Sequence, residues 1–174
     1  MLIHRRRPLG ICSLLMLLAS SSVAAEAPSW RIERGDMNIL VPLKPGGAFA
    51  AHTPSLGGTL TLDQAKPARL TGEILVDLAT IDTGISLRNQ HLREKYLEVS
   101  KGKGFDKAAL SEILLSDADG EAFEGRTAFT GVLLLHGEKH PLQGTVEIRR
   151  DGSSRRVRAV SRSGTGRPVI AGWR

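Results

Sequence analysis

The chain has 174 residues, enough for one domain with a substantial core and too few for two ordinary ones. At 41% apolar and 24% charged it is neither a disordered chain nor a membrane protein throughout, and at 4% aromatic it has few rings on which to stack bases. A formal net charge of +6 raises nucleic acid or an anionic membrane as partners, a suggestion that the placement of the charges removes.

Arg5, Arg6 and Arg7 form a basic head, residues 9–19 an apolar stretch, and Val23-Ala24-Ala25 and Ala25-Glu26-Ala27 offer small residues for cleavage. This is the pattern of a removable export signal over residues 1–25. The apolar stretch is far shorter than the ~20 residues of a spanning helix, so no stable membrane span is expected. The exported chain is expected to begin near Glu26 or Pro28. Cys12, the sole cysteine, leaves with the signal, and with it any disulfide, thiolate nucleophile or cysteine metal site. Residues 26–140 hold 13 Lys and Arg against 16 Asp and Glu, whereas residues 141–174 hold eight Arg against Glu147 and Asp151. The basic character therefore belongs to the end of the chain. A nucleic-acid module carries it on the folded face, interleaved with aromatics or Gly, so no nucleic-acid partner is expected.

The remainder reads as short strands between turn residues. Residues 37–43 are an apolar run that Lys44-Pro45-Gly46-Gly47 breaks. Residues 48–52 and 56–62 follow, the latter with Leu60 and Leu62 on one face and Thr59 and Thr61 on the other. After a turn at 63–67, residues 70–81 give the clearest alternation, Ile74, Val76 and Leu78 against Glu73, Leu75, Asp77 and Ala79. Residues 110–115, 126–136 and 142–149 are further strands, and residues 136–141 read as a hairpin connection. Leu133 and Leu135 alternate with Val132 and Leu134, so that strand is apolar on both faces. Residues 86–99 break the period. Leu92, Tyr96 and Val99 fall on one helical face, and Ser86 is placed to cap its start. One short helix among many strands predicts an all-β fold, and a closed antiparallel barrel hides the strand edges most completely.

Catalytic motifs are missing. His136 and His140 have the spacing of a helical zinc pair, but Gly137 and Pro141 place them in a turn. No strained Gly-x-Ser-x-Gly elbow occurs, and Asp117 and Asp119 precede Gly120 in a polar turn, where Asp serves the backbone. No catalytic residue, metal site or cofactor is expected, and the chain is not expected to be an enzyme.

Two strings are more specific. The first is Val76-Asp77-Leu78-Ala79-Thr80-Ile81-Asp82-Thr83-Gly84, followed by Leu87-Arg88-Asn89-Gln90-His91-Leu92 and Lys95-Tyr96-Leu97-Glu98-Val99; the second runs from Thr130-Gly131-Val132 through His136-Gly137-Glu138-Lys139-His140-Pro141. In this order they resemble the YceI-like family of exported bacterial lipid-binding proteins, over residues 30–158. The resemblance implies an eight-stranded, lipocalin-like antiparallel barrel over residues 26–160, in the periplasm, holding an isoprenoid or similar amphiphilic lipid in its lumen. Asn89 and Thr80 stand where the family pattern has Asp and often Ser. From residue 149 the alternation fades into Arg, Ser and Gly. The last strand is accordingly expected to be lacking or altered, through truncation or a frame shift near Val160, and residues 161–174 to form a poorly structured basic tail.

The candidate lumen is lined by Leu60, Leu62, Ile74, Val76, Leu78, Leu133, Leu135, Val146 and Ile148. These stripes suit a flexible hydrocarbon chain, each buried methylene being worth about 0.8 kcal/mol. They equally suit a filled core, which makes the chain a non-binding structural or interaction module of the envelope. Asp82, Thr83, Arg88 and His91 have two readings as well: contacts to a lipid head group at the barrel mouth, or a self-satisfied turn with Arg88 paired to a carboxylate.

Overall fold

The computed structural model describes residues 27–42, 46–116, 123–162 and 168–173; the expected export signal and the expected turn at Asp117 and Asp119 lie outside them. Ten strands form one antiparallel sheet: β1 (Ser29–Arg31), β2 (Gly35–Pro42), β3 (Ala48–Thr53), β4 (Leu56–Leu62), β5 (Arg69–Asp77), β6 (Lys107–Leu115), β7 (Gly125–Leu135), β8 (Glu138–Asp151), β9 (Ser154–Arg162) and β10 (Pro168–Trp173). The spatial order is β1-β4-β5-β6-β7-β8-β9-β10-β2-β3. β1 pairs with β4 at one end of this order and β2 with β10 near the other. Only Ile32, Glu33 and Arg34 separate β1 from β2 in sequence, so the chain itself draws the two ends together and the sheet curls into a barrel. Gly35 then bridges Ser55 just ahead of β4. Beyond β3, His52 and Asp82 exchange both backbone hydrogen bonds at 2.7 Å, which covers part of that edge.

The antiparallel lipocalin-like barrel with one short helix is therefore the fold. Its strand count differs from the expected eight. The first strand is broken in two, and the end of the chain supplies β9 and β10. Residues 161–174 were expected as a loose tail, yet the β10 backbone pairs with β9 from Pro168↔Arg162 to Trp173↔Val157 and with β2 from Val169↔Ile39 to Trp173↔Gly35. The last strand is thus altered rather than lacking. Arg149, Arg150, Arg155, Arg156 and Arg158 fall in β8 and β9; Arg149 Nε donates to Glu147 at 2.9 Å and Arg156 Nη2 to Asp151 at 2.9 Å. The β7–β8 turn also takes fewer residues than expected, since Glu138 already pairs with Leu135.

Strand β5 ends at Asp77 rather than running to Ile81. The Asp77 carboxylate accepts from the Ala79 N–H at 2.9 Å and starts a 3-10 turn, Leu78–Thr80. Thr80 donates to the Asp77 carbonyl at 2.8 Å, so the fully buried Thr53 hydroxyl donates to Thr80 at 2.5 Å while accepting from Ser55 N–H. The α-helix α1 covers only Ser86–His91, with Ile85 at the cap position and Ser86 already inside. Leu92–Tyr96 continues as a π turn. The Leu97 N–H reaches back to the Leu92 carbonyl at 2.8 Å, which sets Leu97, not Tyr96, beneath Leu92. Tyr96 is 73% exposed, and Leu92, Leu97 and Val99 pack on the core.

Tight curvature between β4 and β5 depends on two glycines. Gly58 has φ +124° and Gly72 φ +95°, and a Cβ on either would lie 2.1–2.2 Å from a carbonyl oxygen of the facing strand. Gly58→Ala is expected to cost on the order of 1–3 kcal/mol from backbone strain alone, with the clash in addition. Gly57→Ala, beside it but with open space around its Cβ position, is expected to be nearly silent. Urea denaturation of the two variants checks the contrast.

Candidate functional site

The curled sheet encloses a cavity of about 630 Å³, within the ~300–1,000 Å³ typical of ligand pockets. Strand alternation builds its wall, because every second side chain of each strand points inward. All nine predicted lumen residues, Leu60, Leu62, Ile74, Val76, Leu78, Leu133, Leu135, Val146 and Ile148, lie on that wall. Leu78 reaches it from the 3-10 turn and not from a strand. Sequence reasoning left out the other side of the lumen, where Met37, Ile39 and Ala51 of β2 and β3 face inward. It also missed Leu110 and Ile113 of β6, which both line the cavity although their spacing is odd. A β-bulge between Ser111 and Leu114, with Glu112 at φ +53°, shifts the phase of the strand between them.

The two ends of the cavity differ. One is closed by aliphatic residues that follow β5: Leu78, Ile81, Leu92 and Leu97. At the other end the lining turns polar. Apart from Ser161 in β9, each polar residue on the wall comes either from Ser29, Arg31 and Glu33 around β1 or from Ser153, Ser154 and Arg155 at the β8–β9 hairpin. The Arg155 guanidinium sits over the Trp30 ring, 5.5 Å from its centroid.

Asp82, Thr83, Arg88 and His91 do not line the cavity. Asp82 accepts from the Gly84 N–H at 2.8 Å and from the Asn89 amide at 2.7 Å. The Asn89 carbonyl in turn accepts from the Thr83 N–H at 2.8 Å and the Thr83 hydroxyl at 2.7 Å. Asn89 thus uses its donor side for Asp82 and its acceptor side for Thr83, which an Asp at this position cannot do for a carboxylate neighbour. Arg88 stacks over the Phe49 ring at 4.8 Å rather than pairing with a carboxylate. His91 is half-buried in the last turn of α1.

At the other loops, His136 Nε2 is 2.9 Å from Glu98 Oε2, with Lys101 Nζ 2.7 Å from the second oxygen. The His140 ring is 3.9 Å from Glu138. Among the described residues, no group of three His, Cys, Asp or Glu is arranged to hold a metal ion, and no helix is long and apolar enough to cross a membrane.

Among the described residues, three carboxyls are held below their ordinary range. The Gly84 N–H and then Asn89 act on Asp82, a hydrogen bond from Lys101 acts first on Glu98, and one from Arg149 acts first on Glu147. A depressed folded value means that each carboxyl adds stability above the unfolded carboxylate range, which is lost as pH falls through the folded value. Stability to urea is expected to fall from about pH 5 downward. The variant Asp82→Asn/Glu98→Gln/Glu147→Gln should show a flatter acid limb, measured by urea midpoints across that window.

The sequence pattern of the YceI-like domain matches residues 40–168, which runs through β9 and past Val160. No curated protein matches the chain in sequence. Solved structures share the fold, among them two matched over nearly their whole length. The crystal structure of Burkholderia cenocepacia BcnA is 15% identical with a TM-score of 0.57, over 85% of this chain and 97% of that one. A polyisoprenoid-binding domain from Saccharophagus degradans, implicated in plant cell wall breakdown, is 13% identical with a TM-score of 0.56, over 85% of this chain and 96% of that one. With the pattern matched from β2 to the start of β10, the chain belongs to the YceI-like domain family.

Proposed function

We propose that this protein is a carrier that sequesters a long apolar amphiphile, of isoprenoid type, in the barrel lumen. The observation that carries the reading is the aliphatic cavity of about 630 Å³. A filled core would favour a purely structural module of the envelope, whereas a roomy apolar chamber favours a binding protein. A methylene is close in size to a water, about 30 Å³, so a chamber of about 630 Å³ has room for on the order of twenty chain carbons. Each five-carbon isoprene unit gains about 3–4 kcal/mol on burial before ordering costs. The predominantly aliphatic wall suits such a chain better than a compact polar metabolite. The polyisoprenoid-binding domain that shares this fold supports the same ligand class.

Residues 1–25 direct export, and the carrier acts in the periplasm. It requires no catalytic residue and no cofactor. Native mass spectrometry of protein recovered from its own cells, followed by organic extraction, tests the binding. The expected result is a non-covalent adduct that extracts as a prenyl-type lipid; protein that is mass-pure and lipid-free in every preparation would overturn it. N-terminal sequencing of the periplasmic form is expected to start near Glu26 or Pro28, and an intact Met1 in the membrane fraction would contradict export.

A further inference from the structure

Exposed apolar side chains and unpaired cations coincide on one short segment of the chain. Among the described residues, five large apolar side chains are exposed: Leu40, Ile85, Leu87, Tyr96 and Leu114. Three of them, Ile85, Leu87 and Tyr96, fall between the residue ahead of α1 and the end of the π turn. Single exposed apolar residues scattered over a surface need no explanation. These lie on a segment whose inner side is already committed, since Leu92 and Leu97 close the chamber. Leu87 is 62% exposed and, like Ile85 and Tyr96, is absent from the chamber wall. A surface helix ordinarily carries one apolar face; this segment carries apolar residues on two sides.

The charge of the same region is set apart from its surroundings. Residues 26–140 are acidic in sum, and the sum conceals a basic island. Residues 85–107 hold six Lys and Arg against Glu94, Glu98 and Asp106, whereas the rest of residues 26–140 hold seven against thirteen. Lys95, Lys101, Lys103 and Lys107 are all exposed. Lys101 pairs with Glu98 at 2.7 Å, and Lys95, Lys103 and Lys107 have no ion pair among the described residues. Lys107 stands opposite Asp77, where β5 ends and the chain leaves the sheet, so the lysines and the apolar side chains share one end of the barrel. A second copy of the chain meeting this patch symmetrically would set lysine against lysine. An anionic bilayer satisfies both halves of the composition. Leucine and isoleucine enter the boundary between head groups and acyl chains, a tyrosine ring rests at head-group level, and ammonium groups meet lipid phosphates.

We propose that the end of the barrel formed by residues 85–107 docks on an anionic phospholipid bilayer, with Ile85, Leu87 and Tyr96 in the interface and Lys95, Lys103 and Lys107 on the head groups. The protein lies on the membrane by this end without spanning it, whatever the chamber holds. The chain from Glu26 onward contains all ten strands and lacks the apolar stretch of residues 9–19, and its co-sedimentation with vesicles is the test. One set of vesicles is phosphatidylcholine, the other equal parts phosphatidylcholine and phosphatidylglycerol. Binding to the anionic set is expected to be at least about tenfold tighter, since each lysine at such a surface adds about fivefold, and to weaken in high salt. On anionic vesicles, Lys95→Gln/Lys103→Gln is expected to lose at least about tenfold and Leu87→Ser about tenfold, with Ile85→Ser in its place if Leu87→Ser does not fold. Lys66→Gln and Leu114→Ser, exposed residues toward the opposite end of β5, should bind as the wild type does. None of these residues lines the chamber, so titration with free geranylgeraniol reads the carrier function separately. Equal binding to the two sets of vesicles, or an unchanged affinity in either Leu87→Ser or the double lysine variant, would overturn the proposal. So would a dimer that Leu87→Ser dissociates without any effect on vesicles, which would make the patch a contact between copies.

Discussion

Val76→Trp is expected to abolish lipid binding while leaving a folded, β-rich protein. Val76 of β5 is buried on the chamber wall, and its partners across the sheet are Leu56 of β4 and the small Ala108 of β6. An indole there projects into empty space, so the usual overpacking cost of about 1–3 kcal/mol is largely avoided. What it removes is room. Displacing one isoprene unit forfeits about 3–4 kcal/mol of burial, more than a hundredfold in affinity. Leu75→Trp provides the control. Leu75 pairs with Ala109 on the outer face and is absent from the cavity wall, so its affinity should remain within about threefold of wild type. Titration of both variants with geranylgeraniol, alongside far-ultraviolet circular dichroism, reads the two effects separately. Loss of binding in Leu75→Trp but not in Val76→Trp would place the lumen on the wrong side of the sheet.

That contrast rests on the part of the molecule most legible in the sequence. A strand with one face buried shows period 2, and residues 74–78 show it plainly, so the inward stripe of β5 and those of β4, β7 and β8 are readable from the residues alone. Legibility ends where the period is broken by backbone geometry that no side chain announces. In β6, Glu112 adopts φ +53° in a bulge, and Leu110 and Ile113 both reach the lumen; strict alternation puts them on opposite faces. Arg155 has the opposite fault. As a charged residue among other arginines it falls where the alternation fades, yet its position in β9 is in phase with Val157 and Ala159, both on the wall. Pairing partners decide this, and they are distant in sequence. The closing of the ring by β1 and β2 is hidden for the same reason, since Trp30 meets Leu60 and Ile39 meets Val169.

The π turn is the sharpest of these breaks and gives the other large expected effect. Helical spacing from Leu92 points to Tyr96, whereas the i+5 bond from Leu97 to Leu92 widens the turn by one residue and brings Leu97 inward. Leu92 and Leu97 close the aliphatic end of the chamber together with Leu78 and Ile81. A carboxylate at either leucine faces an apolar wall without a partner, and burying an unpaired charge costs several kcal/mol. Leu92→Asp and Leu97→Asp are each expected to lose on the order of 2–4 kcal/mol of folding stability. Tyr96→Asp, at a position 73% exposed, should stay within about 0.5 kcal/mol of wild type. Urea denaturation of the three variants provides the comparison. If Tyr96→Asp proves as damaging as Leu92→Asp and Leu97→Asp proves silent, the segment is a regular α-helix in solution and the plug is built from Leu92, Tyr96 and Val99. If the order is the one expected here, the widened turn carries both Leu92 and Leu97 onto the apolar wall and seals the chamber at this end.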